Sequence, residues 1–247
     1  IVGAINESVA MITGNTTSIS TNSTNISTNS SAISTINDTT LANFSSGARV
    51  FQDSSGNTAM GADTLSSLTT GNYNTASGYG SLYSNTTGNS NTASGYEALY
   101  TNTTGASNTA SGYKALYTNT LGGSNTASGY TALYLNTTGS YNTASGRQAL
   151  FNNTTGGTNT AIGTKALYSN STGSGNVAIG YEAGWSETGS NKLYIANGSG
   201  SSNQLLYGDF STGDLSLGQT SGTVSALNNF SVSGSTSLYS DLSVSGS

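Results

Sequence analysis

The sequence has no cysteine, no proline and no histidine among its 247 residues. Without cysteine there is no disulfide framework and no thiol chemistry. Without histidine as well, Ser-His-Asp and Cys-His triads and most zinc sites are excluded. Charge is scarce: Asp, Glu, Lys and Arg make up 6% of the chain, against about 25% in an ordinary globular domain. No basic patch exists to neutralise phosphates, which argues against nucleic acid as a partner. No apolar run approaches the roughly 20 residues of a membrane span, and no signal-peptide pattern is visible. The first residue is Ile1 rather than Met, so the chain reads as an excised or processed piece of something longer.

Asn, Ser, Thr and Gly dominate instead. The net charge is only −5, and 15 Tyr are present, many of them at fixed spacing. Disorder goes with high net charge and few aromatics, so this composition points to order held by regular backbone hydrogen bonding. The missing proline fits a ladder in which every backbone N–H is needed.

Three zones follow one another. In residues 1–42, Ile5, Ile12, Ile19, Ile26 and Ile33 recur every seven residues, and Asn15, Asn22 and Asn29 each lie three places after an Ile. This is a heptad with Ile at a and Asn at d. Ser and Thr fill the other positions and are poor helix formers, so the helix needs partners along the Ile seam. Asn15, Asn22 and Asn29 are candidate anion-coordinating layers, with side-chain amides aimed at a central ion. A connector is expected over residues 43–56.

Residues 57–190 are a repeat array. Units begin at Asn57, Asn74, Asn91, Asn108, Asn125, Asn142, Asn159 and Asn176, seventeen residues apart, and the last reaches the next Asn after fifteen. Position three is always Ala, position five always Gly, and position nine is Leu from Leu65 to Leu167. A fixed period of this kind signals a solenoid, in which each coil covers the next. The unit predicts two short strands per coil, "NTASG" and "ALY", joined by Gly-bearing turns. At about 4.8 Å per coil, eight coils rise roughly 38 Å. The inward residues are read as Ala at positions three and eight, Leu at nine, and Ile162 and Ile179 at four. That core is thin, and three parallel chains would thicken it.

In residues 191–219 the stretches "NKLYIANG" and "NQLLYGDFSTGDLSLG" alternate apolar and polar residues and read as short strands. In 220–247, "FSVSGSTSLYSD" and "LSVSGS" repeat at twelve residues, which suits a sheet face or the start of a triple β-helix. The chain stops inside this repeat.

Two resemblances support this organisation. The stretches "ITGNTTS", "ISTNSTN" and "ISTNSSA" resemble the stalks of trimeric autotransporter adhesins and of phage tail fibres. That resemblance implies a parallel trimeric coiled coil whose Asn layers hold chloride-like anions. "NTAIGTKAL" and "NVAIGYEAG" are similar to the "SVAIG" head repeats of the same adhesins, which form a left-handed parallel β-roll, although those repeats are usually fourteen residues long. Seventeen-residue "NTAIGYxALYxNTTG" units also look like those of many tail-fibre and virion-spike proteins, and "LLYGDFSTG" resembles the segment that follows them.

The expected fold class is therefore mainly β: a homotrimeric fibre with an N-terminal parallel coiled coil, a parallel β-solenoid and a C-terminal interwoven β segment. The expected function is a structural fibre that extends a receptor-binding tip from a virion for host attachment. The partners would be further copies of the chain and, through the tip, a host receptor or glycan at the extracellular surface. A cellular trimeric adhesin or filament subunit is the alternative, and a solenoid binding sugar or ice directly is a second. No catalytic, cofactor or metal residues are expected, and calcium at a trimer axis has no Asp-rich loop to support it.

Three side-chain rows are candidates for binding. Tyr79, Tyr96, Tyr113, Tyr130 and Tyr181 at position six are candidate glycan-facing aromatics, beside a packing row of Tyr83, Tyr100, Tyr117, Tyr134, Phe151, Tyr168 and Trp185 at position ten. Thr86–Thr87 and its equivalents in "NTTG" form a hydroxyl row, with adjacent Thr aimed to opposite faces. The position-one Asn form a ladder read as structural. Asn102, Asn136, Asn153 and Asn170 stand in N-x-[ST] form and could be glycosylated only where a host has the machinery.

Overall fold

A computed structural model describes residues 2–39, 50–200 and 203–217. The element α1 (Val2–Thr39) is one helix of 38 residues. Several of its hydroxyls bond to its own backbone: Thr13 donates to the Val9 carbonyl, Thr16 to Ile12 and Thr21 to Thr17, each four residues back. Such back-bonding satisfies the side chains but slightly weakens a helix. Ile5, Ile12, Ile19 and Ile26 lie on its surface at 55–68% exposure. Each would gain about 1.5–3 kcal/mol from full burial.

The array is a parallel solenoid of eight coils. Each coil contributes one three-residue strand: β2 (Thr58–Met60), β3 (Thr75–Ser77), β4 (Thr92–Ser94), β5 (Thr109–Ser111), β6 (Thr126–Ser128), β7 (Thr143–Ser145), β8 (Thr160–Ile162) and β9 (Val177–Ile179). Neighbours pair in parallel with a constant shift of one repeat, Thr75 on Thr92 and Ala76 on Ala93. The strand β1 (Val50–Gln52) pairs antiparallel to β2 and starts the sheet. Beyond β9, β10 (Lys192–Ala196) adds one more parallel strand, and β11 (Gln204–Asp209) and β12 (Asp214–Leu217) continue antiparallel. All twelve strands form a single sheet in sequence order. The strands expected over 191–219 are thus present, while the repeat expected over 220–247 lies outside the described residues.

Two expectations are corrected. "ALY" is not a second strand. The position-nine Leu, from Leu65 to Leu167, sits at φ of 50–53°, and the position-seven residues, such as Glu97 and Lys114, at 51–63°. A left-handed residue costs about 1–2 kcal/mol. Here it turns the chain round a core only an Ala and a Leu wide while keeping the ladder: Glu97 N–H reaches back to the Tyr79 carbonyl at 2.8 Å, and Leu99 N–H reaches forward to Ala115 at 3.0 Å. Bend and ladder are therefore compatible without β geometry.

The second correction concerns Ile162 and Ile179, which do not face inward but are 43% and 40% exposed. Side chains alternate along a strand. Ala161 and Ala178 are fully buried or nearly so, and their neighbours must point out. The core comprises the position-three and position-eight Ala and the position-nine Leu, flanked by fully buried Asn.

Glycine at position five is required by close approach. Gly112 has φ of +136°, and a Cβ there would lie 2.5 Å from the Gly129 carbonyl oxygen of the next coil.

Candidate functional site

The chemistry of this molecule lies in rows of identical side chains set one coil apart. Two of the rows are asparagine. In the position-one row, from Asn57 to Asn142, each Oδ1 accepts the backbone N–H and the Nδ2 of the Asn one coil on, as Asn91 does from Asn108 at 2.9 and 3.2 Å. Each Nδ2 also donates to the position-fifteen carbonyl, Asn108 to Gly122 at 2.8 Å. A second row at position twelve runs from Asn85 to Asn170. Asn119 Nδ2 donates to Asn102 Oδ1 at 2.8 Å and to Gly122 O at 2.9 Å. Both rows converge on the same Gly carbonyl. The Asn of N-x-[ST] form, Asn102, Asn136, Asn153 and Asn170, belong to this second row and are fully buried. Their amide nitrogens are engaged, so the folded coil offers no nitrogen to a glycan.

Both rows are terminated by other residues. Asp53 stands in for the coil before the first: its Oδ1 accepts the Asn57 N–H at 2.8 Å and its Oδ2 accepts Asn57 Nδ2 at 2.9 Å. At the far end Asn176 Oδ1 accepts the Lys192 N–H at 2.9 Å. The position-twelve row stops where Glu187 replaces Asn, and Asn170 Oδ1 is left without a partner. Glu187 instead accepts the Thr188 and Gly189 N–H groups and the Tyr194 hydroxyl.

Both tyrosine rows stack. In the position-ten row, Tyr83 through Tyr168 follow one another at centroid spacings of 4.9–5.4 Å with planes within 11°, and Trp185 closes it edge-on. The position-six row, Tyr79, Tyr96, Tyr113 and Tyr130, stacks at 5.0–5.3 Å and is 40–49% exposed. Its ring faces are turned toward one another, and Arg147 lies 5.9 Å from the Tyr130 centroid. A sugar laid on this row meets ring edges and hydroxyls, not open faces. Tyr181 is exposed and set apart, since Thr164 holds that position in the preceding coil.

The phenols of Tyr79, Tyr96 and Tyr181 are pushed above the usual tyrosine range, chiefly by hydrogen bonds to Asp63, Glu97 and Glu182 respectively; that of Tyr100 is raised chiefly by burial. Lys114 bridges the two rows, 5.5 Å from the Tyr113 centroid and 4.9 Å from Tyr117. Its ion pair with Glu97 at 3.2 Å pushes its pKa up to about 12.

The "NTTG" threonines divide as the alternation requires. Thr86 and Thr103 donate their hydroxyls to the next coil's carbonyl at 3.0 and 3.1 Å, while Thr87 and Thr104 are exposed. A more regular hydroxyl array lies on the sheet. From β3 to β7 the strand is Thr-Ala-Ser with Ala buried, so one flat face carries a Thr row and a Ser row. Neither this face nor the position-twelve ladder is among the rows expected from the sequence. The strict Ala at position three was the available signal for the face.

Asn15, Asn22 and Asn29 lie exposed on α1, and no group within the described chain converges on them. Among the described residues no cluster of three or more His, Cys, Asp or Glu could hold a metal ion, and no helix is long and apolar enough to cross a membrane. At the C-terminal end, Lys192 pairs with Asp209 across β10 and β11, which holds the Asp209 carboxyl far below the usual carboxylate range.

The class that the fold defines is a parallel β-solenoid joined in sequence to a heptad-patterned helix. No family model, curated protein or solved structure matches the chain.

Proposed function

We propose that the chain is a shaft segment of a homotrimeric fibre, a tail fibre that extends a receptor-binding tip from a virion for host attachment. The observation that carries this reading is the α1 seam: four Ile at seven-residue spacing, all exposed, on a helix whose Ser and Thr content cannot hold it alone. Parallel copies bury that seam, and Asn15, Asn22 and Asn29 then form layers able to hold a chloride-like anion. The solenoid adds length cheaply, because one unit is copied and each coil is closed by its neighbours. The resemblance of "ITGNTTS" and "NVAIGYEAG" to stalk and head repeats selects a fibre among the assemblies that would bury such a seam. A cellular trimeric adhesin is the same architecture on another surface. Gold-labelled antibody raised against the repeat array tests the reading on particles and cells of the source. Label along a projection from virions is expected, label along a projection from cells favours the adhesin, and label confined to the cell interior sinks both.

A second reading rests on the Thr-Ala-Ser face. Left uncovered, two flat hydroxyl rows without a charge suit ordered water or ice. Thermal hysteresis in solutions of the chain would support it.

A further inference from the structure

The outward face of the sheet changes chemistry along its length. Over β3 to β7 it carries Thr and Ser. From β8 onward the same face becomes apolar. Ile162 stands beside Ile179, and Val177 and Ile179 pair with Leu193 and Ile195 of β10. Ile195 pairs with Leu206 of β11, and Leu206 with Leu217 of β12. Leu215 pairs with Gly208, whose missing side chain leaves a hollow of about 270 Å³ lined by Leu193, Phe210 and Leu215, with Asp209 and Asp214 at its edge. Residues paired across strands share a face, so these side chains form one patch five strands wide. Ile162, Ile179, Leu215 and Leu217 are each 40–58% exposed. At about 4.8 Å per strand the patch covers on the order of a few hundred Å², the size at which an exposed apolar area marks an interaction site. The charged residues of this end, Lys192, Asp209 and Asp214, pair with one another in register on the opposite face.

We infer that this face, anchored by the apolar patch over β8–β12, is where copies of the chain pack against each other beyond the helix. The inference rests on the fibre reading and assigns its second seam. Several observations favour a second copy over a foreign partner. The outward strand positions from β2 to β12 number about twenty, matching the roughly 20–30 residues per side of a standard protein–protein interface. None of these positions carries a charge that would select a charged partner. The patch is continuous with rows that repeat every coil, so parallel copies in register meet like residues at every height, with Thr and Ser hydroxyls placed to bond across. The α1 seam makes an independent demand for parallel copies of the same chain.

The test is sedimentation equilibrium of the full chain and two variants, with circular dichroism to check the fold. Ile179→Asp/Leu217→Asp puts two carboxylates into the patch, whereas Thr104→Asp puts one on the exposed "NTTG" bend as a control. The native chain and the control are expected to associate equally, and the double variant about a hundredfold or more weaker with its solenoid intact. Equal association of all three overturns the inference and leaves the fibre reading standing. A monomeric native chain overturns both. If the double variant does not fold, Ile179→Cys decides instead, because the chain has no other thiol. Disulfide-linked dimers under mild oxidation are expected from it and not from Thr104→Cys, and their absence overturns the inference.

Discussion

Asn119 carries three side-chain hydrogen bonds, and two of them run to Asn102 and Asn136, its own counterparts in the adjoining coils. Removing it leaves the Asn102 oxygen and an Asn136 N–H unpaired in a dry interior. Each orphaned group costs about 1–3 kcal/mol, so Asn119→Ala is expected to lower stability by about 3 kcal/mol in chemical denaturation, far more than its small volume change alone. Thr131 runs the other way. It is β-branched at φ of 51°, and its buried hydroxyl has no partner. Thr131→Gly relieves the backbone and removes the orphan, at the loss of the buried β-carbon and methyl and with a freer unfolded chain, for an expected net gain of about 1 kcal/mol. Gly80 already fills the equivalent position in another coil. At this scale the position-one ladder was legible because Asn recurs without exception. The position-twelve ladder was hidden, since "NTT" reads as a glycosylation pattern until its burial is known.

The element of this molecule is the coil, not the strand. Hydrogen bonds join each residue to one about seventeen places away, and both Asn rows and both Tyr rows keep the same step. Excising Asn108–Ser124 therefore reconnects every ladder, and the shortened chain is expected to fold with reduced stability and an unchanged circular dichroism signature per residue. Excising sixteen residues displaces every Asn and Leu beyond the cut and is expected to abolish cooperative unfolding. The seventeen-residue period and the eight coils could be read directly from the sequence. The bend at "ALY" could not, because Leu is a good strand and helix residue, and only the closure of the coil forces it to positive φ. The outward turn of Ile162 and Ile179 was available in principle, since a buried Ala at position three requires an exposed position four.

The stacked phenols set a pH limit that belongs to the same element. The pKa values of Tyr79, Tyr96 and Tyr100 in the rows are raised in the folded chain, as is that of Tyr181, which stands apart from them. A group raised on folding contributes stability that is complete below its unfolded pKa, about 10 for tyrosine, and that is lost as pH rises through the folded value. Thermal midpoints are thus expected to hold steady through neutral pH and fall above about pH 10, in step with phenolate absorbance. A midpoint unchanged under strong alkali would show that the rows do not matter to stability.

The whole molecule joins two designs in one chain, a helix that is incomplete alone and a solenoid capped at its ends. Asp53 completes the first Asn57 as a missing coil would, and Lys192 closes Asn176. Those contacts close the position-one ladder at both ends of the array, whereas the α1 seam is left without a partner. The heptad made this seam legible, as it places Ile5 through Ile26 on one line. The sheet-face patch was not legible, because its residues come from five strands whose register only the folded chain reveals. We propose that the chain works as a trimer. Sedimentation equilibrium of the 247-residue chain is the direct measurement. A single species of three times the 24.7 kDa chain mass is expected, and a species of 24.7 kDa that persists as concentration rises would rule the trimer out.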